Sequence, residues 1–201
     1  MLRFVRRFLL VLVCAAFTAA ALLIGLSSDP LYAAQELTSF GRYSNYDELI
    51  RAAAEKQGVP PALVKALIWR ESAFHADKVG GDGERGLMQV GEAAATDWAR
   101  ASKIETFIPT DLFDPRTNVE VGTWYLRRAL EKWKAKSDPI PFALAEYNAG
   151  ASRVDRWLAA SGVGAQADAH DLLNAMDFPG TRRYVEEIAA RHRFYVARGG
   201  R

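Results

Sequence analysis

The sequence predicts a mainly α-helical single domain behind an apolar N-terminal segment, and three observations predict it. Apolar residues recur at three- and four-residue spacing in successive stretches, no stretch alternates as a strand would, and Pro, Asp and Gly stand where helices start and stop. Half of the 201 residues are hydrophobic and 25% are charged, the balance of an ordinary globular protein. Beyond the N-terminal segment about 165 residues remain, enough for one domain with a real core.

Arg3, Arg6 and Arg7 precede an uncharged stretch from Phe8 to Ser28. A cationic start before an apolar run is a secretory pattern, and this run approaches the length of a membrane-spanning helix. Leu31-Tyr32-Ala33 is a poor cleavage site, so residues 1–28 are expected to be an uncleaved signal anchor rather than a removed signal peptide. The flanking arginines hold the N-terminus in the cytoplasm and send the rest of the chain outward. The expected location is therefore the cell envelope, with an extracytoplasmic domain anchored in the inner membrane. Cys14 is the single cysteine, so an intramolecular disulfide is excluded. Val13 stands where a lipidation signal wants a small residue, so the thiol is read as inert.

Residues 29–43 read as a linker and 44–197 as the folded domain, with 198–201 a short tail. Asp47-Glu48 opens a helix that Gly58 stops near Gln57. Pro60-Pro61 opens a second, from 62 to about 72, because proline is tolerated in a first turn. Residues 73–85, with Gly80, Gly81 and Gly83, are a loop, and a helix at about 91–102 follows. Asp114-Pro115 starts the longest helix, to about Lys136, with Val121, Trp124, Tyr125, Ala129, Leu130 and Trp133 on its apolar side. Shorter helices are expected at 140–148 and 151–160. A loop through Pro179 leads to a last helix at 181–197, with Tyr184, Val185, Ile188, Ala189, His192 and Val196 facing inward.

Several function classes fall away. A net charge of +2 is too small for a nucleic-acid footprint. Arg182, Arg183, Arg191, Arg193, Arg198 and Arg201 gather near the end against Glu186 and Glu187; this reads as a solvated cationic face, with attraction to an anionic wall polymer as the alternative. His75, His170 and His192 lack companions at ligand spacing, so no metal is expected. Gly80-Gly81-Asp82-Gly83 lacks the lysine and preceding strand of a phosphate cradle, and no cofactor is expected.

Three short motifs carry chemistry. Glu71 ends the apolar helix Leu63-Val64-Lys65-Ala66-Leu67-Ile68-Trp69-Arg70-Glu71-Ser72, where desolvation raises a carboxyl pKa toward that of a useful acid. Taken alone, it could equally pair with Arg70. Gly86-Leu87-Met88-Gln89 follows the glycine-rich loop, and the Gln89 amide both donates and accepts, which suits sugar hydroxyls and acetamides. Glu146-Tyr147-Asn148-Ala149-Gly150 closes a helix with a hydroxyl and an amide.

In this order and spacing, Glu71-Ser72, Gly86-Leu87-Met88-Gln89 and Tyr147-Asn148-Ala149-Gly150 resemble the soluble lytic transglycosylase family with its lysozyme-like domain. The likeness extends through Gly58-Val59-Pro60-Pro61, Asp114-Pro115 with Asn118 and Gly122, and Arg153-Val154 with Trp157, and ends in Thr181-Arg182-Arg183-Tyr184-Val185. It implies cleavage of peptidoglycan strands with Glu71 as the catalytic acid/base. It also implies that Tyr147 hydrogen-bonds Glu71, that Ser72, Met88, Gln89 and Asn148 line the sugar cleft, and that Tyr184 closes it. The implied partners are peptidoglycan and, through the N-terminal segment, a membrane. A lone acid suffices where the sugar's 6-hydroxyl attacks and a 1,6-anhydro ring forms. A hydrolytic muramidase of the same fold would instead recruit Asp77, Asp82, Glu84 or Glu146, and a wall-binding scaffold would need no acid at all. Two departures stand out: Gly180 replaces a glutamate before the Thr-Arg pair, and Gly91-Glu92-Ala93 replaces a Thr/Pro-rich turn.

Overall fold

Amphipathic and apolar helices dominate the computed structural model, which describes residues 2–26, 30–39 and 41–199. The described chain forms two compact units, Met1–Tyr46 and Asp47–Arg201. In the first, α1 spans Leu2–Gly25. Its Val5–Leu22 stretch has a mean hydropathy of 2.0 and is long and apolar enough to cross a membrane. Phe8, Leu10 and Phe17 are all exposed on it. The segment expected as linker is partly helical: α2 covers Pro30–Thr38. The Tyr32 and Tyr43 rings meet at 5.8 Å beside it. Asp29 and Phe40 lie outside the described residues.

The second unit is organised around α4, Pro61–Ser72, in which every residue from Ala62 to Ile68 is buried. A helix buried on all sides must be apolar on all sides, and this one is, apart from Lys65. Lys65 is tolerated there because its ammonium reaches Asp47 at 2.6 Å. Asp47 opens α3, Asp47–Gln57, which packs on α4 and on α6, Pro115–Lys132. The Asp114 carboxylate caps α6 by accepting from the Thr117 N–H at 2.8 Å. Between them lies α5, Glu92–Ala101, against α6. Then come α7, Ile140–Ala149, and α8, Ala151–Ala160. The last two are α9, Ala169–Ala175, and α10, Pro179–Ala197, which lies along α4 and α7.

In the second unit the structure departs from the sequence-based expectation at four further places. The helix opened by Asp114-Pro115, expected to be the longest and to reach about Lys136, stops at Lys132 with Trp133 as its C-cap, and its 18 residues are fewer than the 19 of α10. Helix α9 lies in the segment expected as loop, opened by the reciprocal capping box of Asp168 and Asp171. On α10 the inward position near the end belongs to Tyr195, while Val196 is 55% exposed. Arg191 leaves the cationic face: it is buried, with its guanidinium 4.3 Å from the Trp69 ring centroid. Arg201 lies outside the described residues.

Candidate active site

The candidate site begins where α4 ends. Ala73 and Phe74 both take positive φ, 48° and 63°, so the chain reverses sharply after Ser72. The turn is held by the Ser72 hydroxyl, which donates to the Ile68 carbonyl and accepts from the Phe74 N–H at 3.1 Å. Phe74 then inserts into the core. Ser72 is thus a buried pin of the turn, and its hydroxyl is committed inside the protein rather than to a cleft.

Glu71 is left half-buried at the helix end. Its Oε1 accepts a hydrogen bond from the Tyr184 hydroxyl at 2.6 Å, across from α10. Burial raises the Glu71 pKa to about 7; the Tyr184 hydrogen bond and the nearby Lys78 and Arg70 charges pull it down, and Glu84 pushes it up. Arg70 does not neutralise it directly, because its guanidinium bonds Glu187 at 2.7 Å and lies 5.6 Å from the Tyr184 ring centroid. Lys78 donates to the Glu71 backbone carbonyl, which satisfies a free carbonyl at the helix end. Both the Tyr184 and Tyr147 hydroxyls are held well above their ordinary pKa, first by burial and then by the Glu71 charge.

The glycine-rich segment folds into a tight hairpin-like turn. Arg85 bridges antiparallel to both Val79 and Val90. Gly86 sits at φ +77° in close contact with α6: an added Cβ would fall 2.3 Å from Asn118 Nδ2 and 2.5 Å from the Leu112 carbonyl. Asn118 is wholly buried and clamps this turn. Its Nδ2 donates to the Arg85 and Leu112 carbonyls at 2.7 and 2.8 Å, and its Oδ1 accepts from the Met88 N–H at 2.8 Å. Met88 is fully buried against α6, where the Thr123 hydroxyl approaches its sulfur at 3.8 Å. It fills core, as Ser72 does, and the expectation that both line a sugar cleft is corrected by their burial.

Gln89 takes φ +47°, a costly conformation for a residue with a side chain. Two hydrogen bonds maintain it, from its Nε2 to the Lys78 and Gly86 carbonyls at 3.1 and 2.9 Å. Both amide donors are therefore spent, and its Oε1 is the polar atom left to the cleft. Tyr147 donates to the Met88 carbonyl at 3.0 Å. The roles of the two tyrosines are thus exchanged relative to expectation: Tyr184 bonds Glu71, and Tyr147 secures the Met88-Gln89 turn. Asn148 is exposed and accepts from the Thr181 hydroxyl at 2.8 Å, tying the end of α7 to the start of α10. Gly180 is exposed in the same first turn, with open space where a side chain would be.

A cavity of about 260 Å³ opens beside this group, lined by Glu84, Gln89, Val90, Gly91, Tyr125 and Tyr147 among others. Tyr125 and Tyr147 stand edge to face with centroids 5.6 Å apart. Sequence reasoning missed Tyr125 and Asn118 as site residues. The signal for Asn118 was its place in the family likeness, beside Asp114-Pro115 and Gly122. Of the other carboxylates, Glu146 is engaged elsewhere, accepting from the Trp133 indole N–H at 2.8 Å and pairing with Lys132 at 3.2 Å. Asp77 and Asp82 are exposed. The histidines stand apart: His75 and His170 are exposed, and His192 is half-buried, with burial lowering its pKa.

Fold and site together define a class: helical domains that present one desolvated glutamate at a helix end, beside a cleft of tyrosine and amide groups. The family described as "Transglycosylase SLT domain" matches residues 48–169, more than half of the chain. The soluble lytic murein transglycosylase of Escherichia coli K12 is 30% identical over 151 residues, covering 75% of this chain and 23% of that protein. The membrane-bound lytic murein transglycosylase C of Yersinia enterocolitica is 38% identical over 87 residues, 42% of this chain and 24% of that one. Among solved structures, the 70-kDa soluble lytic transglycosylase of Escherichia coli superimposes with a TM-score of 0.69 at 29% identity, over 77% of this chain and 24% of that chain. A complex of the 70-kDa enzyme with bulgecin A gives a TM-score of 0.72 at 29% identity, over 85% of this chain and 26% of that one. The chain belongs to the transglycosylase SLT domain family and has its helical, lysozyme-like fold. It spans about a quarter of the length of the relatives named here.

Proposed function

We propose that the protein is a peptidoglycan lytic transglycosylase of the cell envelope, cleaving the β-1,4 bond between N-acetylmuramic acid and N-acetylglucosamine with Glu71 as acid and then base. The observation that carries this reading is the state of Glu71, a half-buried carboxyl with a pKa raised to about 7 and a tyrosine hydroxyl on one oxygen. An acid with a pKa near the working pH serves both proton transfers. Because Tyr184 donates to Oε1, the proton is carried by Oε2 and aimed at the glycosidic oxygen.

In the first step Oε2 protonates the leaving oxygen as the C1–O4 bond breaks, and the neighbouring acetamido oxygen stabilises the cationic C1. In the second, the Glu71 carboxylate takes the proton of the sugar's 6-hydroxyl as O6 bonds C1. The result is a 1,6-anhydro ring, Glu71 is protonated again, and no water is consumed. Glu146 is tied to Trp133 and Lys132, so the usual second carboxylate of a hydrolase is not drawn from α7. Helix α1 supports membrane attachment, in keeping with the membrane-bound relatives, and the arginines at its N-terminal end support an inner-membrane orientation with the domain outside.

The test is mass spectrometry of muropeptides released from purified peptidoglycan by the full chain and by its Glu71→Gln variant. Fragments ending in anhydro-muramic acid, absent with the variant, are the expected result. Reducing-end fragments would instead assign a hydrolytic muramidase. Polymer binding without release would assign a wall-binding scaffold.

A further inference from the structure

Three successive residues at the end of α4 each meet a different residue of α10. Trp69 meets Arg191, whose guanidinium lies 4.3 Å from the centroid of its ring. Arg70 meets Glu187, donating from Nε to Oε2 at 2.7 Å. Glu71 meets Tyr184, whose hydroxyl donates to Oε1 at 2.6 Å. Residues three and four apart share one face of a helix, so 184, 187 and 191 run along α10 as a single stripe. The proposed cleavage uses the Tyr184 contact and leaves the Glu187 contact without a role. That contact matters because of where it holds a charge. The Arg70 guanidinium stands 5.6 Å from the centroid of the Tyr184 ring, the same ring whose hydroxyl is on Glu71.

Titratable and charged groups face Glu71 from every side. Arg70 stands beside it on α4, Lys78 and Glu84 come from the loop after α4, Tyr184 from α10 and Tyr147 from α7. The Lys78 ammonium is engaged with the Glu71 backbone carbonyl. Arg70 is the cation whose distance from the carboxyl is set by a side-chain partner on another helix, and that partner is Glu187. The two side chains are 37% and 38% exposed, so solvent makes the pair a weak strut between the helices. It does decide which carboxylate receives the guanidinium. We propose that Glu187 is a positioning residue for the cleavage, drawing the Arg70 guanidinium along α10 and away from Glu71, so that the acid keeps a neutral tyrosine rather than a cation as its direct partner. This rests on the reading of Glu71 as the acid. It gives α10 two coupled tasks: Tyr184 orients the carboxyl, and Glu187 keeps the neighbouring cation off it. Even held by Glu187, Arg70 pulls the Glu71 pKa down somewhat, and a released guanidinium would pull it further. An acid already ionised at the working pH has no proton to give the glycosidic oxygen.

The test reads the protonation of Glu71 directly and reads cleavage separately. The full chain, in detergent, is isotope-labelled at its glutamate carboxyls, and the Glu71 magnetic resonance signal is assigned by its loss in Glu71→Gln and followed against pH. Glu187→Gln should lower the Glu71 midpoint by roughly half a pH unit or more, the effect of a cation brought close to a partly buried carboxyl. Arg70→Gln should raise the midpoint, and the double variant should return it to the parent's value or above. The alkaline limb of the pH–rate profile for anhydro-product release should move in the same order. A midpoint unmoved by Glu187→Gln, in a variant whose melting curve matches the parent's, overturns the proposal. So does a double variant with a midpoint as low as that of Glu187→Gln, because the effect then does not pass through Arg70. A pair that only ties α4 to α10 would lower the melting temperature of all three variants alike and leave their midpoints equal, which also overturns it. Midpoints that move as expected in a chain that releases no anhydro product overturn the cleavage reading and leave the placement of Arg70 by Glu187 standing.

Discussion

Two glutamates near the ends of helices that both pack on α10 show how packing separates a desolvated carboxyl from a strut. Glu71 closes α4 and Glu146 lies near the end of α7; both are partly buried, and each stands beside a residue with a hydroxyl. Glu146 received a lysine and an indole N–H, so its charge is compensated where it lies. Glu71 received a neutral tyrosine hydroxyl, and the arginine next to it in sequence turned away to Glu187. A carboxyl taken from water without a dedicated cation favours its protonated form. The difference lies not in the glutamates but in what α10 and α6 bring to each.

The contrast is broken most directly by exchanging each carboxyl for an amide. Glu71→Gln should lower the rate of anhydro-product release by about a thousandfold, within the range for loss of a general acid, while Glu146→Gln should stay within about threefold of the parent. Equal losses from both, measured on correctly folded protein, would remove the distinction. The turn that carries Gln89 depends on Asn118, so Asn118→Ala should cost about 3 kcal/mol in chemical unfolding, since it strands the Met88 N–H and the Leu112 carbonyl in the core. Loss of less than about 1 kcal/mol would show that the turn holds itself.

The protonation of Glu71 gives a signed effect on stability. Its pKa rises from 4.5 in the unfolded chain to about 7 in the folded one, so the native state binds the extra proton between those values. Its contribution is therefore harmless below about pH 4.5, becomes unfavourable as pH rises, and reaches about 3 kcal/mol above pH 7. Glu71→Gln should be more stable than the parent by an amount approaching that figure at pH 8, with the gain vanishing near pH 4.5. A gain independent of pH would mean that the carboxyl is not desolvated. The smallest expected effect is that of Tyr184→Phe. Without the hydroxyl that favours the carboxylate, the Glu71 pKa rises further, and the alkaline limb of the pH–rate profile should move upward with roughly tenfold loss at the optimum. An unmoved limb would assign Tyr184 a packing role only.

Much of the fold was legible because its helices announce themselves locally. Asp114-Pro115, Pro60-Pro61 and the acids at 47–48 are start signals that act within one turn, and each helix began within a residue or two of them. Helices α2 and α9 were missed because nine and seven residues are too few for a periodic pattern to stand out. The place of Tyr195 over Val196 was missed because both are apolar, and a shift of one position on a helix face is decided by the neighbour it packs against. At the site, Tyr184 bonds Glu71 and Tyr147 bonds the Met88 carbonyl, a different set of hydrogen bonds from the one the family resemblance suggested.

What the sequence alone determined was the helical class, the apolar N-terminal segment, the family and the place of a carboxyl near the end of α4, since these depend on residue type and short-range spacing. Only the tertiary structure decided that Tyr184 and not Tyr147 bonds Glu71, that Ser72 and Met88 are buried, and that Glu146 is committed to a lysine. Each of these joins groups distant in the chain or sets a side chain's direction to within an ångström or two. Hydrogen bonding and desolvation are sensitive to that distance, and one-dimensional spacing does not encode it.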